Sequence, residues 1–128
     1  MSKPMQILIV EDEMYSAMFL EMLLKEEGHE VFPPVGTGEE AIVSAEKFKP
    51  TLILMDIRLA GEIDGFEAAE RIVAARPVAI IFMTGYGEED VFDRAMKFKP
   101  RGFLLKPYSL IDIQNAIAKL EGNPVPEI

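Results

Sequence analysis

The stretch QILIVED at residues 6–12 decides the fold, because an apolar run over Gln6–Val10 stops abruptly at two carboxylates. Three later apolar runs also stop at a polar side chain: Thr51–Met55 at Asp56, Ala79–Met83 at Thr84, and Phe103–Leu105 at Lys106. If the runs are parallel strands, their carboxyl ends meet at one edge of one sheet, where open α/β sheets bind ligands. The sequence therefore predicts a site at that edge.

Strand and helix signals alternate five times, which predicts five βα units with short connections. The predicted strands are Gln6–Val10, Glu30–Val35, Thr51–Met55, Val78–Met83 and Arg101–Leu105. The predicted helices are Met14–Glu27, one capped by Thr37 and ending near Phe48, one capped by Asp64 and ending near Ala75, about Glu88 to Lys97, and one capped by Ser109. Pro33 and Pro34 place the second strand at a sheet edge, because proline cannot donate to a ladder. Together these features predict a flavodoxin-like, doubly wound, five-stranded parallel sheet of order 2-1-3-4-5 with five helices.

Composition excludes several classes of function. A chain of 128 residues with 49% hydrophobic residues is long enough for one folded domain. A net charge of −9 argues against direct nucleic acid binding, which needs a cationic face. The apolar runs are too short to span a membrane, and the N-terminus lacks the apolar segment of a signal peptide, so we expect a cytoplasmic protein. No cysteine is available for a disulfide or a zinc site, and the single His29 is expected to be a solvated turn residue.

Three carboxylates share the predicted edge: Glu11, Asp12 and Asp56. Like charges so placed repel one another unless a cation neutralises them. A hard divalent ion, Mg²⁺ or Mn²⁺, suits such oxygen ligands, and Mg²⁺ usually keeps waters and a phosphate as well. Lys106 and Thr84 would then contact a phosphoryl group, although Lys106 also suits an ion pair with the acids and Thr84 a cap. A solvated acidic helix N-terminus explains residues 11–13 but leaves Asp56 unexplained.

Five motifs, in order and at fitting spacing, make the chain resemble the receiver domain of response regulators, the phospho-accepting module of two-component signalling. They are ILIVEDE (7–13), LILMDIRL (52–59), DGFEAAE (64–70), IIFMTGYG (80–87) and GFLLKPYS (102–109). The resemblance covers about residues 5–121 and is of the chemotaxis-regulator kind, and FMTGYG is similar to a subgroup with FATG-like motifs. It implies a receiver domain at residues 1–121 and a C-terminal tail or linker stub at residues 122–128. Such a domain is not an enzyme, since it catalyses only its own aspartate phosphorylation and dephosphorylation.

The resemblance also implies a role for each residue of the predicted site. Asp56 is the phosphoacceptor, and the metal is held by Glu11, Asp12, Asp56 and the main-chain carbonyl of Arg58. The residues that bind the phosphoryl group are Thr84 and Lys106, and those that form the switch are Thr84 and Phe103. The residues that flank the path of the hydrolytic water, and so tune dephosphorylation, are Arg58 and Tyr86. Phe103 departs from the family pattern, in which tyrosine is frequent, so it has no hydroxyl for a switch hydrogen bond.

The implied cofactor is Mg²⁺ or Mn²⁺, and the implied phosphodonor is a histidine kinase or a histidine phosphotransfer protein. A downstream protein partner is expected at the face formed by the fourth helix, the fifth strand and the fifth helix, with no membrane or direct nucleic acid contact.

Three other functions fit the same fold less well. An aspartate-nucleophile phosphatase has a DxD pattern after its strand, but the second residue after Asp56 is Arg58. A flavin or nucleotide binder needs backbone amides open to phosphate in its first loop, where this chain has carboxylates. A phosphorylation-independent adaptor would not need the intact set of site residues.

Overall fold

The computed structural model describes residues 4–85 and 89–121. The strands are β1 (Gln6–Val10), β2 (Glu30–Val31), β3 (Leu52–Asp56), β4 (Ala79–Thr84) and β5 (Gly102–Leu105). The helices are α1 (Met14–Glu26), α2 (Gly38–Phe48), α3 (Gly65–Ala75), α4 (Glu89–Phe98) and α5 (Leu110–Glu121). All strand pairs are parallel, in the order β2-β1-β3-β4-β5. The predicted fold class is confirmed.

The strands divide their side chains between two apolar layers, because successive residues of a strand point to opposite faces. One layer packs strand residues such as Leu8 and Ile53 against α2, α3 and α4. The other packs residues such as Ile9 and Leu54 against α1 and α5. Both faces of the sheet are therefore covered, which explains why the strands read as continuous apolar runs.

The helix starts follow their capping residues. The Thr37 hydroxyl accepts from the Glu40 N–H at 3.1 Å, as expected for the residue that caps α2, and it donates to the Glu40 carboxylate. At the start of α3 the Asp64 carboxylate accepts from the Glu67 N–H at 2.9 Å. The Ser109 hydroxyl accepts from the Asp112 N–H at 3.2 Å. Helices α2, α3 and α5 are therefore each fixed at their start by a local side-chain hydrogen bond.

The second strand is shorter than predicted, since only Glu30–Val31 is regular. Phe32 N–H donates to the Ile7 carbonyl and Val35 N–H to the Ile9 carbonyl, both at 3.0 Å. The step from Phe32 to Val35 is three residues, whereas the matching step on β1, from Ile7 to Ile9, is two. The segment that contains Pro33 and Pro34 therefore carries one extra residue, as in a β-bulge. The prolines interrupt the ladder, although β2 is the edge strand as expected.

One further expectation was wrong. His29 is buried rather than solvated, and its Nδ1 accepts from the Met5 N–H at 3.0 Å. None of the helices in residues 4–85 and 89–121 is both long enough and apolar enough to cross a bilayer. The predicted tail at 122–128 lies outside the described residues.

Candidate functional site

The three carboxylates converge at the carboxyl ends of β1 and β3. Val10 pairs with Met55 in the sheet, so the residues that follow them, Glu11 and Asp56, emerge side by side. One oxygen from each of Glu11, Asp12 and Asp56 lies within 4.8 Å of the other two. Glu11 and Asp56 are buried, whereas Asp12 is exposed. The cluster therefore has a buried base and one carboxylate open to solvent.

Lys106 reaches the cluster from the end of β5. Its Nζ lies 2.9 Å from Glu11 Oε1 and 2.7 Å from Asp56 Oδ2, so one ammonium bridges two buried carboxylates. The Lys106 N–H donates to the Thr84 carbonyl at 2.7 Å, and the Lys106–Pro107 peptide is cis. The lysine is thus held at its backbone by β4 and at its ammonium by β1 and β3.

This arrangement shifts the pKa values of Glu11 and Lys106. Burial, reinforced by the Asp56 carboxyl, raises the pKa of Glu11 above its ordinary value, against the opposing effect of Lys106. Burial alone would lower the pKa of Lys106, but the hydrogen bonds to Asp56 and Glu11 outweigh it and raise that pKa. Lys106 therefore stays positively charged at neutral pH beside two acids that repel each other.

Backbone amides fix the remaining carboxylate oxygens. The Arg58 N–H donates to Asp56 Oδ1 at 3.0 Å, and the Glu13 N–H donates to Glu11 Oε2 at 3.1 Å. Each buried carboxylate thus has one oxygen on the ammonium and the other on an amide. Because both side chains are held from two directions, their rotamers are fixed by the protein itself.

A close approach between α3 and β3 positions the backbone of Asp56. A Cβ placed on Gly65 would lie 2.3 Å from the Asp56 carbonyl oxygen and 2.9 Å from the Ile57 Cα. The Gly65 N–H also donates to the Ile57 carbonyl at 2.9 Å. Only glycine allows this contact. Sequence reasoning missed it, although the Asp64-Gly65 pair at the helix start was its visible signal.

A second contact that sequence reasoning missed holds the loop between β3 and α3. The Glu39 carboxylate, at the start of α2, accepts from the Glu62 N–H at 3.0 Å. This hydrogen bond is the main cause that lowers the pKa of Glu39 below its ordinary value. The loop after Asp56 is therefore tied to the neighbouring helix.

The two predicted switch residues lie on the neighbouring strands. Thr84 is buried at the end of β4, one residue beyond Met83, which pairs with Asp56. Phe103 is half-buried in β5, with its ring centroid 6.5 Å from that of Phe82. Arg58 has an exposed side chain, and Tyr86 lies outside the described residues.

The oxygen-rich cluster suits a hard divalent cation. Three carboxylates within reach of one another, one of them exposed, supply the hard oxygen donors that Mg²⁺ prefers, and the open side leaves room for water and phosphate oxygens. The neighbouring ammonium adds a positive charge beside the same cluster. The donor set therefore fits a bound metal next to an anionic group.

Comparison with known proteins places most of the chain in one family. The profile of the response regulator receiver domain matches residues 7–118. Transcriptional regulatory protein PdtaR of Mycobacterium tuberculosis is 37% identical over 89% of this chain, which spans 55% of that protein. Sporulation initiation phosphotransferase F of Bacillus subtilis is 30% identical over 89% of this chain and 91% of its own length.

A solved structure shows the same fold. The receiver domain of sensor histidine kinase PA1611 from Pseudomonas aeruginosa, which has a magnesium ion in its active site cleft, superposes with a TM-score of 0.82. It is 29% identical and covers 94% of this chain and 100% of its own. The chain therefore belongs to the response regulator receiver domain family, whose members are signalling domains of two-component systems rather than true enzymes.

Proposed function

We propose that this receiver domain takes a phosphoryl group onto Asp56 from the phosphohistidine of a histidine kinase or a histidine phosphotransfer protein. The observation that carries the proposal is the environment of Asp56. Its carboxylate is buried at the carboxyl end of β3, with Lys106 Nζ at 2.7 Å and the Arg58 N–H at 3.0 Å. A carboxylate held in this way is oriented for attack rather than left to rotate in solvent.

In the proposed transfer an Asp56 oxygen forms a bond to phosphorus while the bond from phosphorus to the histidine nitrogen breaks. The departing imidazole keeps the electron pair of that bond and, protonated on its other nitrogen, leaves as a neutral group. Lys106 and Thr84 contact oxygens of the transferred group, whose charge is spread over three equatorial positions. The protein thus contributes position and electrostatic stabilisation more than covalent chemistry.

Mg²⁺ or Mn²⁺ is the proposed cofactor. Glu11, Asp12 and Asp56 would hold it, together with the main-chain carbonyl of Arg58, and waters would complete its shell. When bound, the ion neutralises charge on the phosphoryl oxygens. The magnesium ion in the PA1611 receiver domain supports this assignment by analogy.

The proposed output is a change of packing that begins at the phosphoryl group. Thr84 lies at the end of β4, and Phe103 packs against the β4 residue Phe82, so movement of Thr84 toward the new phosphate would alter the support of the Phe103 ring. A downstream protein would read that change at the α4–β5–α5 face of a cytoplasmic domain.

The exposed side of α1 supports a protein as the phosphodonor. Five large apolar side chains of this helix face solvent: Met14, Tyr15, Met18, Phe19 and Met22. The helix begins two residues after Asp12, so this apolar surface starts beside the acceptor site. An exposed apolar surface of this kind is typical of a site that a protein partner covers.

Labelling with acetyl phosphate in Mg²⁺ tests the proposal. Wild type should gain one phosphoryl group by intact mass, and Asp56→Asn should gain none while keeping its circular dichroism spectrum. Asp93→Asn, which changes an exposed carboxylate of α4, is the matched control and should label like wild type. Stoichiometric labelling of a folded Asp56→Asn variant would overturn the assignment.

A further inference from the structure

A cavity of about 520 Å³ lies between α2 and α3. It is lined by Lys49 and Arg76, the residues that cap the C-termini of these helices. Both helices run back from the carboxyl edge of the sheet, so the cavity lies at the opposite end of the strands from Asp56. Its volume is within the range of about 300–1,000 Å³ that is typical of small-molecule sites.

The walls of the cavity are apolar. They are formed by Ile42 and Ala45 of α2 and by Ile72 and Ala75 of α3. Ala45 and Ile72 belong to the buried core, so the floor is fixed by packing. A ligand could therefore bury an apolar body here without any rearrangement of the core.

The rim is cationic, although the chain as a whole carries a net charge of −9. Lys49, Arg71 and Arg76 line the cavity, against the single carboxylate of Glu46. Arg71 also forms an ion pair with Glu67 one turn earlier in α3. The cavity is thus a locally positive pocket in an acidic protein.

Arg76, at the C-terminus of α3, has a donor that no other group in the described residues uses. Its Nη1 is buried and has no hydrogen-bond partner within residues 4–85 and 89–121. Cations at helix C-termini interact favourably with the helix dipole, which accounts for the positive charges of Lys49 and Arg76. Buried polar groups normally find partners, so the guanidinium of this cavity-lining residue keeps an unused donor that a rotation of the side chain would turn toward a ligand.

We propose that this cavity binds a small amphipathic anion, with its apolar body against the α2 and α3 walls and its anionic head on Arg76 and Lys49. The head is a phosphate, phosphonate, sulfonate or carboxylate, which can accept from a guanidinium and an ammonium together. The proposal is independent of the phosphoacceptor site and adds a second binding site to the domain.

Amide NMR spectra of the full chain, titrated with phenylphosphonate, test the proposal. This probe has the required body and head, and it cannot donate a phosphoryl group. We expect saturable shifts at the amides of Ile42, Ala45, Ile72 and Ala75. Phenol, which keeps the body without the charge, and methylphosphonate, which keeps the charge without the body, should each bind at least tenfold more weakly.

The variants separate a specific site from general charge attraction. Arg76→Gln should weaken phenylphosphonate binding at least fivefold, and Lys49→Gln, at an exposed position, gives the same test if the first variant does not fold. Arg101→Gln is the matched control, because Arg101 also has a buried unpaired guanidinium nitrogen but lies directly before β5 and does not line this cavity. The proposal is wrong if shifts are absent, if they map only to the Asp56 site, or if Arg101→Gln weakens binding as much as the cavity variants.

Discussion

Gly65→Ala tests how the fold positions the acceptor. In the interior of a helix this change stabilises by about 1 kcal/mol, because glycine is the poorer helix former, and at the first residue of α3 that value is an upper bound. Here the added Cβ would lie 2.3 Å from the Asp56 carbonyl oxygen, whereas real Cβ contacts keep at least 3.0 Å. The three nearest atoms all belong to the backbone of Asp56 and Ile57, so no side chain can move aside.

The clash should outweigh the gain in helix propensity. Overpacking costs about 1–3 kcal/mol, and a clash relieved only by backbone movement belongs at the upper end of that range. We therefore expect a net loss of about 2 kcal/mol after the propensity gain is subtracted. With an unfolding entropy of about 0.27 kcal/mol/K for 128 residues, Tm should fall by about 7 °C.

The same displacement should slow phosphorylation. Relief of the clash moves α3 or the Asp56 backbone by most of an ångström, and misplacement on that scale costs a factor of about ten or more in rate. Thermal unfolding by circular dichroism and the initial rate of acetyl phosphate labelling measure the two effects. Gly36→Ala is the control, since a Cβ added at Gly36 would lie 3.6 Å from its nearest neighbour, the Asp12 Cα. The Tm of this variant should stay within about 2 °C of the wild-type value. An unchanged or raised Tm for Gly65→Ala would refute the reasoning.

Three further predictions concern the metal, the lifetime of the phosphoryl group and the loop. Asp12→Ala should lower Mg²⁺ affinity at least about tenfold by calorimetry, because a ligand is removed, and unchanged affinity would exclude that role. Arg58 and Tyr86 carry no acid or amide to orient a water, so the phosphoryl group should persist for minutes or longer, and small polar replacements of both should speed its loss. Decay within seconds, or unaltered decay in the double variant, would contradict this expectation. The Glu39 carboxyl should titrate below its ordinary pKa of 4.5, so its hydrogen bond stabilises the loop above that pH and is lost as pH falls through the lowered value. By NMR, the chemical shift of the Glu62 amide should follow the titration of Glu39, and this pH dependence should be absent in Glu39→Gln. A titration midpoint at or above pH 4.5 would argue against the hydrogen bond between Glu39 and the loop.

The strand order and the convergence of the site residues could be predicted from sequence because they depend on local patterns. Apolar runs mark buried strands, and the polar residue that ends each run must lie at the carboxyl edge once the strands are parallel. The paired prolines mark the edge strand for an equally local reason, the missing N–H.

What sequence could not supply depends on contacts between distant segments. His29 was expected in solvent because nothing local shows that its ring accepts from Met5, 24 positions away. An ion pair between Lys106 and the acids follows from the sequence, but its geometry does not: one ammonium bridges Glu11 and Asp56 across 95 and 50 positions. The glycine requirement at Gly65 follows from the distance between a helix and a strand, which no residue pattern encodes. The precise geometry of the site therefore depends on tertiary contacts, whereas the strands and helices that carry it follow from local sequence.

The short β2 and the prolines that follow it also affect how the protein behaves at high concentration. A free sheet edge is a template on which a strand of another molecule can form a ladder, the first step of edge-to-edge aggregation. Here the regular edge is two residues long, and the next positions on it include an exposed Pro33 without an N–H to offer. An incoming strand would find too few donors to hold its register. This edge of the sheet is thus a poor template for edge-to-edge pairing.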